Sequence, residues 1–86
     1  MGRRRKHYEK IISGDSDTNI PFEQTRTLLE HLGFTERVRG SHHVFSREDV
    51  EELINLQKAG GSQCKPYQVR QMREILLKYN LHEELM

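Results

Sequence analysis

The stretch RGSHHVFSRE, residues 39–48, places two adjacent histidines directly after a glycine and a serine. Imidazole titrates near neutral pH, so a histidine can both accept and donate a proton at cellular pH. Gly40 would allow the close approach of a substrate backbone, and Ser41 adds a hydroxyl and a backbone N–H. These residue types indicate acid–base chemistry at His42 or His43, although both could equally be ordinary polar residues of a strand.

A metal site is a second interpretation of the same histidines. Zinc requires three or four His, Cys or carboxylate ligands that converge on one point. Adjacent residues of a strand point to opposite faces, so His42 and His43 cannot easily share a metal. The other histidines, His7, His31 and His82, form no HxH or HxxxH pattern. We therefore expect neither a metal nor another cofactor.

Basic residues lie close to the two histidines and also open the chain. Arg37 and Arg39 would share one face of a strand and could hold phosphates. The run from Arg3 to Lys6 could bind nucleic acid electrostatically or could be a solvated terminus. The candidate RNA-binding residues are Arg37, Arg39, Arg70, Arg3, Arg4, Arg5 and Lys6.

Length and composition indicate one small domain with a thin core. The chain has 86 residues, of which 34% are hydrophobic, and it contains no Trp. The net charge is only +1, so the chain as a whole is not a polycation. The single Cys64 excludes an intrachain disulfide and a CxxC metal site. No apolar run approaches the roughly 20 residues of a membrane span, and we expect a cytoplasmic protein that does not contact membranes.

Apolar residues at helical spacing predict three helices. The first has a basic outer side and ends at Gly14, a suitable C-terminal cap. In the second, Pro21 occupies the first turn and Gly33 follows the end. The third begins near Pro66 and ends near Asn80. Their apolar stripes are Tyr8, Ile11 and Ile12, then Phe22, Leu28, Leu29 and Leu32, then Val69, Met72, Ile75, Leu76 and Tyr79.

The apolar period changes to two after Gly33 and predicts three strands. The first covers residues 34–39, and Gly40 and Ser41 form the turn into a second at residues 42–45. SRED, residues 46–49, is the next turn, and VEELINLQ, residues 50–57, forms the third strand, although it could also be helical. Short turns between consecutive strands produce an antiparallel sheet. The sequence therefore predicts an α+β fold of order α-α-β-β-β-α, with helices packed on one face of a three-stranded antiparallel sheet.

Four segments together resemble the HicA family: LLEHLGF (28–34), RVRGSHHVF (37–45), INLQ followed by a GG loop, and KPYQVRQ (65–71). The resemblance covers roughly residues 7–81. It implies a double-stranded-RNA-binding-domain-like fold and the toxin half of a type II toxin–antitoxin module. It also implies an endoribonuclease that cuts mRNA without a metal and is neutralised by a HicB antitoxin. The family's catalytic histidine falls on His42 and its glycine on Gly40.

The resemblance predicts one HicA-like domain over residues 1–86, with a basic helix and linker at 1–19 and a core at 20–81. Two departures are the basic N-terminal helix, which the shortest family members lack, and SRED in place of a His-Pro turn. A second proton-transfer group could be His43, Lys65 or Tyr67, with Ser41 in support. Two rival functions stay open: a dsRBD-like module that binds RNA without cutting it, and a degenerate toxin that only binds its antitoxin.

Overall fold

The computed structural model describes residues 2–81, so the predicted features of His82 lie outside it. All six predicted elements are present in the predicted order. Their bounds are α1 Arg3–Ser13, α2 Phe22–His31, β1 Thr35–Arg39, β2 His42–Arg47, β3 Val50–Leu56 and α3 Pro66–Lys78. The segment that follows α1, predicted to be a linker, contains a short 3-10 helix, Asp17–Asn19. The strand interpretation of residues 50–57 is confirmed over Val50–Leu56.

The three strands form one antiparallel sheet in the order β1-β2-β3. Across the sheet, Glu36 is opposite Phe45, which is opposite Ile54. Directly opposed residues share a face, so this row points toward the helices, where Phe45 and Ile54 are buried. The alternate row, Arg37 opposite Val44, points away from them. One face of the sheet is therefore covered and the other is open.

The core lies between the covered face of the sheet and the helices. Every residue of the predicted α2 stripe is buried, as are Val69, Met72, Ile75 and Leu76 of α3. Helix α2 contacts the sheet through Arg26, which pairs with Glu36 of β1, and α3 packs against β3. Burial of these apolar side chains is the main driving force for the fold. No described helix is long and apolar enough to cross a membrane.

The two strand connections are both two residues long but differ in conformation. Gly40 has φ +58°, while Ser41 is not among the residues with positive φ. This sign pattern is that of a type II′ turn, which favours Gly at its first position. SRED was predicted entirely as turn; instead β2 continues to Arg47 and only Glu48–Asp49 turn. The register shifts by a bulge between Phe45 and Arg47, which accommodates this connection.

Helix α2 begins and ends with local signals that the sequence contains. Pro21 precedes the helix as its N-cap residue with extended ψ, not within the first turn as predicted. At the other end, Gly33 N–H donates to the Glu30 carbonyl and Phe34 N–H donates to the Leu29 carbonyl. This is a Schellman arrangement, which requires the left-handed φ of +88° at Gly33. It directs the chain back into β1 with Phe34 buried.

Helix α1 packs against α2 and α3. Its His7 contacts Thr25 of α2, and Arg73 of α3 donates to the carbonyl of Ile11 and pairs with Asp17. The remaining order, α2-β1-β2-β3-α3, is that of a double-stranded-RNA-binding-domain-like fold. The predicted α+β class and the placement of the helices on one face of the sheet are thus confirmed.

Candidate active site

His42 lies on the open face of the sheet, at the first position of β2. It is exposed and pairs directly with Arg39 of β1. Directly opposed residues in an antiparallel pair have Cβ atoms roughly 5 Å apart. Arg37 lies on the same face two residues earlier, since its partner is Val44. The structure therefore brings together His42, Arg37 and Arg39, three residues that the sequence analysis selected.

The turn before His42 leaves this corner of the sheet open. A Cβ placed on Gly40 would meet no atom within 4 Å. Glycine is required there by the positive φ, and the space above it is available for another molecule. Ser41 is also exposed, and its hydroxyl accepts a hydrogen bond from Gln57 Nε2 at 3.3 Å. The Gly-Ser turn is therefore accessible to another molecule, and the hydrogen bond from Gln57 holds its serine side chain in place.

His43 points to the covered face, away from His42. Its Nδ1–H donates to Glu36 Oε2 at 2.6 Å, and its ring meets Phe22 edge-on at 4.7 Å between centroids. Arg26 forms a bidentate pair with the same carboxylate, at 2.8 and 2.7 Å. The Arg26 guanidinium holds the pKa of Glu36 below its usual value, and the hydrogen bond from His43 acts in the same direction. His43 is therefore an anchor of β2 on α2.

A buried pair of glutamines connects the Gly-Ser turn to the start of α3, and sequence reasoning missed it. Gln57 follows the last residue of β3, and its carbonyl accepts the backbone N–H of Lys65 at 3.0 Å. Its side-chain Oε1 accepts from Gln68 Nε2 at 3.0 Å, while its Nε2 reaches Ser41. Both glutamines are buried. The only available signal was a glutamine at the end of an apolar strand, which does not identify a partner.

Lys65 and Tyr67 lie at the end of this chain of hydrogen bonds. The Tyr67 hydroxyl accepts from Gln68 Nε2 at 3.4 Å, so its own proton remains able to donate. Tyr67 is 48% exposed, and Lys65 is the N-cap residue of α3. The predicted support residues are thus divided: Ser41, Lys65 and Tyr67 are connected through Gln57 and Gln68, whereas His43 lies on the other side of the sheet.

The predicted RNA-binding cations fall into separate groups. Arg37 and Arg39 accompany His42 on the open face, and Arg70 is exposed in the second turn of α3. Arg3, Arg4, Arg5 and Lys6 form the first turns of α1, which packs against α2 and α3, the helices that cover the opposite face of the sheet. The basic helix therefore does not extend the cluster around His42.

Two further groups with unusual pKa values lie in the core. His7 donates from Nε2 to Thr25 Oγ1, because that hydroxyl itself donates to the Pro21 carbonyl. Burial lowers the pKa of His7, and nearby Lys10 adds to the effect. Burial also raises the pKa of the Cys64 thiol to about 11. Among residues 2–81, no three His, Cys, Asp or Glu side chains are grouped so as to hold a metal ion.

The fold and the exposed histidine define a small α+β protein of dsRBD-like architecture with a potential acid–base site on its open sheet face. The family model described as the HicA toxin of bacterial toxin–antitoxin systems matches residues 22–78, from the start of α2 to the end of α3. The chain therefore belongs to the HicA toxin family and is the toxin of a toxin–antitoxin system, for which an antitoxin partner is implied. No curated protein and no solved structure matches it significantly.

Proposed function

We propose that this toxin is a metal-independent endoribonuclease that cleaves mRNA with His42 as its proton-transfer residue. The observation that carries the proposal is the position of His42: exposed on the open face, opposite Arg39 and next to the Gly40 turn. An RNA phosphodiester placed there would meet an imidazole, a guanidinium and an unobstructed turn. Family membership supports a toxic activity, and this corner of the molecule offers the chemistry for one.

The reaction begins with attack of a ribose 2′-oxygen on the adjacent phosphorus. The new O2′–P bond forms as the P–O5′ bond breaks, which leaves a 2′,3′-cyclic phosphate and a 5′-hydroxyl. His42 accepts the proton of the 2′-hydroxyl or donates a proton to the leaving 5′-oxygen. Arg39, with Arg37 behind it, stabilises the negative charge that develops on the phosphoryl oxygens.

The second proton needs another group, and the geometry favours the start of α3 over His43. His43 is on the covered face and its Nδ1–H is committed to Glu36. The Tyr67 hydroxyl contacts Gln68, and the Lys65 backbone N–H donates to the Gln57 carbonyl, so both residues belong to the chain of contacts that reaches the Gly-Ser turn. Tyr67 has a free proton to donate, and Lys65 supplies a positive charge beside the phosphate. Arg70, in the next turn of the helix, extends the RNA-binding surface.

The test is cleavage of RNA by the purified chain with EDTA present throughout. His42→Ala should slow cleavage by roughly 10² to 10⁴, the usual contribution of one general acid or base, or about 3 to 5 kcal/mol of barrier. Ser46→Ala is the matched control, because Ser46 lies on the same strand and face about 13 Å away. A DNA strand of the same sequence should resist cleavage, because it lacks the 2′-hydroxyl.

Each outcome of this experiment has a distinct meaning. Cutting by the wild type and by Ser46→Ala, but not by His42→Ala, supports the proposal. Equal cutting by all three proteins, or no cutting by the wild type in EDTA, overturns it. RNA binding without cutting identifies an RNA-binding module, and neither binding nor cutting identifies a protein that acts only on its antitoxin.

We also propose that a HicB-like antitoxin covers the open face and blocks access to His42. That face carries Leu53, which is 61% exposed and surrounded by polar residues. Burial of this exposed leucine under a protein partner would remove apolar surface from water, which favours association. Leu53→Asp should therefore weaken antitoxin binding while RNA cleavage is retained. Unchanged antitoxin binding by this variant would place the interface elsewhere.

A further inference from the structure

A groove with a volume of about 930 Å³ lies between α1 and α2, on a surface separate from His42. Gly2, the first residues of α1 and the exposed side of α2 line it. We propose that this groove binds the phosphate backbone of an RNA strand and so acts as a second RNA contact surface. The inference rests on the proposed function only in taking RNA as the substrate.

The charges that line the groove are almost all positive. Arg3, Lys6 and Lys10 recur at helical spacing on the side of α1 that faces it. No acidic residue occupies the first turn of α1. The carboxylate in the lining, Glu23, is paired with Arg26 at 2.8 Å. An anion in this groove would therefore meet several cations and no unpaired lining carboxylate.

This concentration of charge is costly in a chain whose net charge is only +1. Like charges three or four residues apart destabilise a helix by a few tenths of a kcal/mol per pair. Arg5 has a nearby acid, Glu9, but at 3.9 Å the two side chains barely meet. A bound polyanion would remove the repulsion between these cations, so polyanion binding would explain why they are placed close together.

The length of the cationic row fits a polymer better than a single phosphate. From Arg3 to Lys10 the helix rises about 10 Å. Each strand of a DNA duplex carries one charge roughly every 3.4 Å along its axis, and the phosphates of a single strand are spaced further apart, so about two or three phosphates could face this row. A small anion would contact only one or two of the cations. The spacing therefore indicates an extended anionic chain.

The lining of the groove favours nucleic acid over an acidic peptide. Leu28 is the only apolar side chain among its described residues, and it is almost fully buried. Protein interfaces usually have an apolar, aromatic-rich centre from which charged residues are depleted. The polar residues Gln24 and Thr27 line the groove instead and are exposed. They can add hydrogen bonds to phosphate or ribose oxygens.

The groove is also an addition to the domain that defines the family. Helix α1 precedes the matched residues 22–78. It lies against helices that cover one face of the sheet, whereas His42 is on the other face. Arg37 and Arg39 lie on the open face of β1, which is an edge strand of the sheet. An RNA strand that crosses this edge could contact both the groove and the open face.

The test compares RNA binding by variants of the full chain that carry His42→Ala to prevent cleavage. The probe is a labelled single-stranded RNA, with a DNA strand of the same sequence, over a series of salt concentrations. Loss of one phosphate contact should reduce the slope of log K against log salt by about 0.7. The triple change Arg3→Gln, Lys6→Gln and Lys10→Gln should therefore lower it by about 2. At about 0.15 M salt this corresponds to roughly 50-fold weaker binding.

The single variant Lys6→Gln should lower the slope by about 0.7, and Lys78→Gln is its charge-matched control. Lys78 lies at the end of α3 and pairs with Glu52 at 2.7 Å. We expect this variant to keep the affinity and salt slope of the parent, and DNA to show the same groove-dependent loss as RNA. An unchanged slope in the triple variant, or no RNA binding by the parent, overturns the inference. Groove-dependent binding of polyglutamate that does not displace RNA would also overturn it, in favour of an acidic protein partner.

This experiment separates the inference from the proposed function, because it measures binding and not cleavage. If RNA binding depends on the groove cations but the wild type does not cut RNA, the inference about the groove holds and the proposed nuclease activity is wrong. If cleavage depends on His42 but RNA binding does not depend on the groove cations, the nuclease proposal holds and the inference about the groove is wrong.

Discussion

The side chains of His42 and His43 are consecutive in sequence but lie on opposite faces of the sheet. His42 faces solvent opposite Arg39, whereas His43 donates to Glu36 and contacts Phe22. The pleat of a strand imposes this separation. One histidine is consequently available for proton transfer, and the other holds β2 against α2.

The different positions of the two histidines predict unequal losses of stability when each is replaced by alanine. His43→Ala should lower the free energy of unfolding by about 2 kcal/mol, because it removes a hydrogen bond to a charged carboxylate and an aromatic contact. His42→Ala, at an exposed position, should change it by less than about 0.5 kcal/mol. Urea denaturation of the two variants measures both values. A larger loss in His42→Ala than in His43→Ala would contradict the assignment.

The conformation of the turn before His42 predicts which substitutions Gly40 tolerates. Its φ of +58° should make Gly40→Ala cost about 1 kcal/mol, while Gly40→Asn should cost less, because asparagine is more common than alanine at the positive-φ positions of such turns. No neighbouring atom would obstruct either side chain at its Cβ. Thermal or urea denaturation distinguishes the two. Equal losses in both variants would show that backbone conformation is not the cause.

Burial of His7 predicts that mild acid weakens the fold. The lowered pKa means that the unfolded chain binds more protons than the native state below the unfolded value of 6.5. The stability contributed by neutral His7 is therefore fully present above pH 6.5 and is lost as pH falls toward the folded pKa. His7→Gln keeps a donor for Thr25 without titrating. Its unfolding free energy should fall less than that of the wild type between about pH 7.5 and 5.5, and equal falls would contradict this explanation.

The buried thiol of Cys64 should be unreactive in the folded protein. Its side chain is fully buried and its pKa is raised to about 11, so little thiolate exists at neutral pH. Labelling by a thiol reagent at about pH 8 should be slow in the native state and fast in denaturant. Rapid labelling of the native protein would show that the loop before α3 opens readily.

Much of the fold could be predicted because it depends on local periodicity. The α1, α2 and α3 stripes repeat every 3.6 residues, the strands alternate every two, and Gly14, Gly33 and Gly40 adopt left-handed conformations at the ends of elements. The boundaries at Pro21 and SRED were wrong by one or two residues. In both places the end of the element depends on contacts with other residues. The Pro21 carbonyl accepts a hydrogen bond from Thr25, and Arg47 pairs with a residue of β3.

Tertiary structure decided what the sequence left open at the site. Alternation required His42 and His43 to point in opposite directions, but only the packing of Phe22 and Glu36 on His43 determined which one would remain open. Gln57, Gln68 and Ser41 meet across 11 and 16 residues of chain, and His7 meets Thr25 across 18. Such contacts form only when the elements dock, because no local pattern encodes them. The sequence by itself thus determined the elements and their order, and docking determined which side chains share a surface.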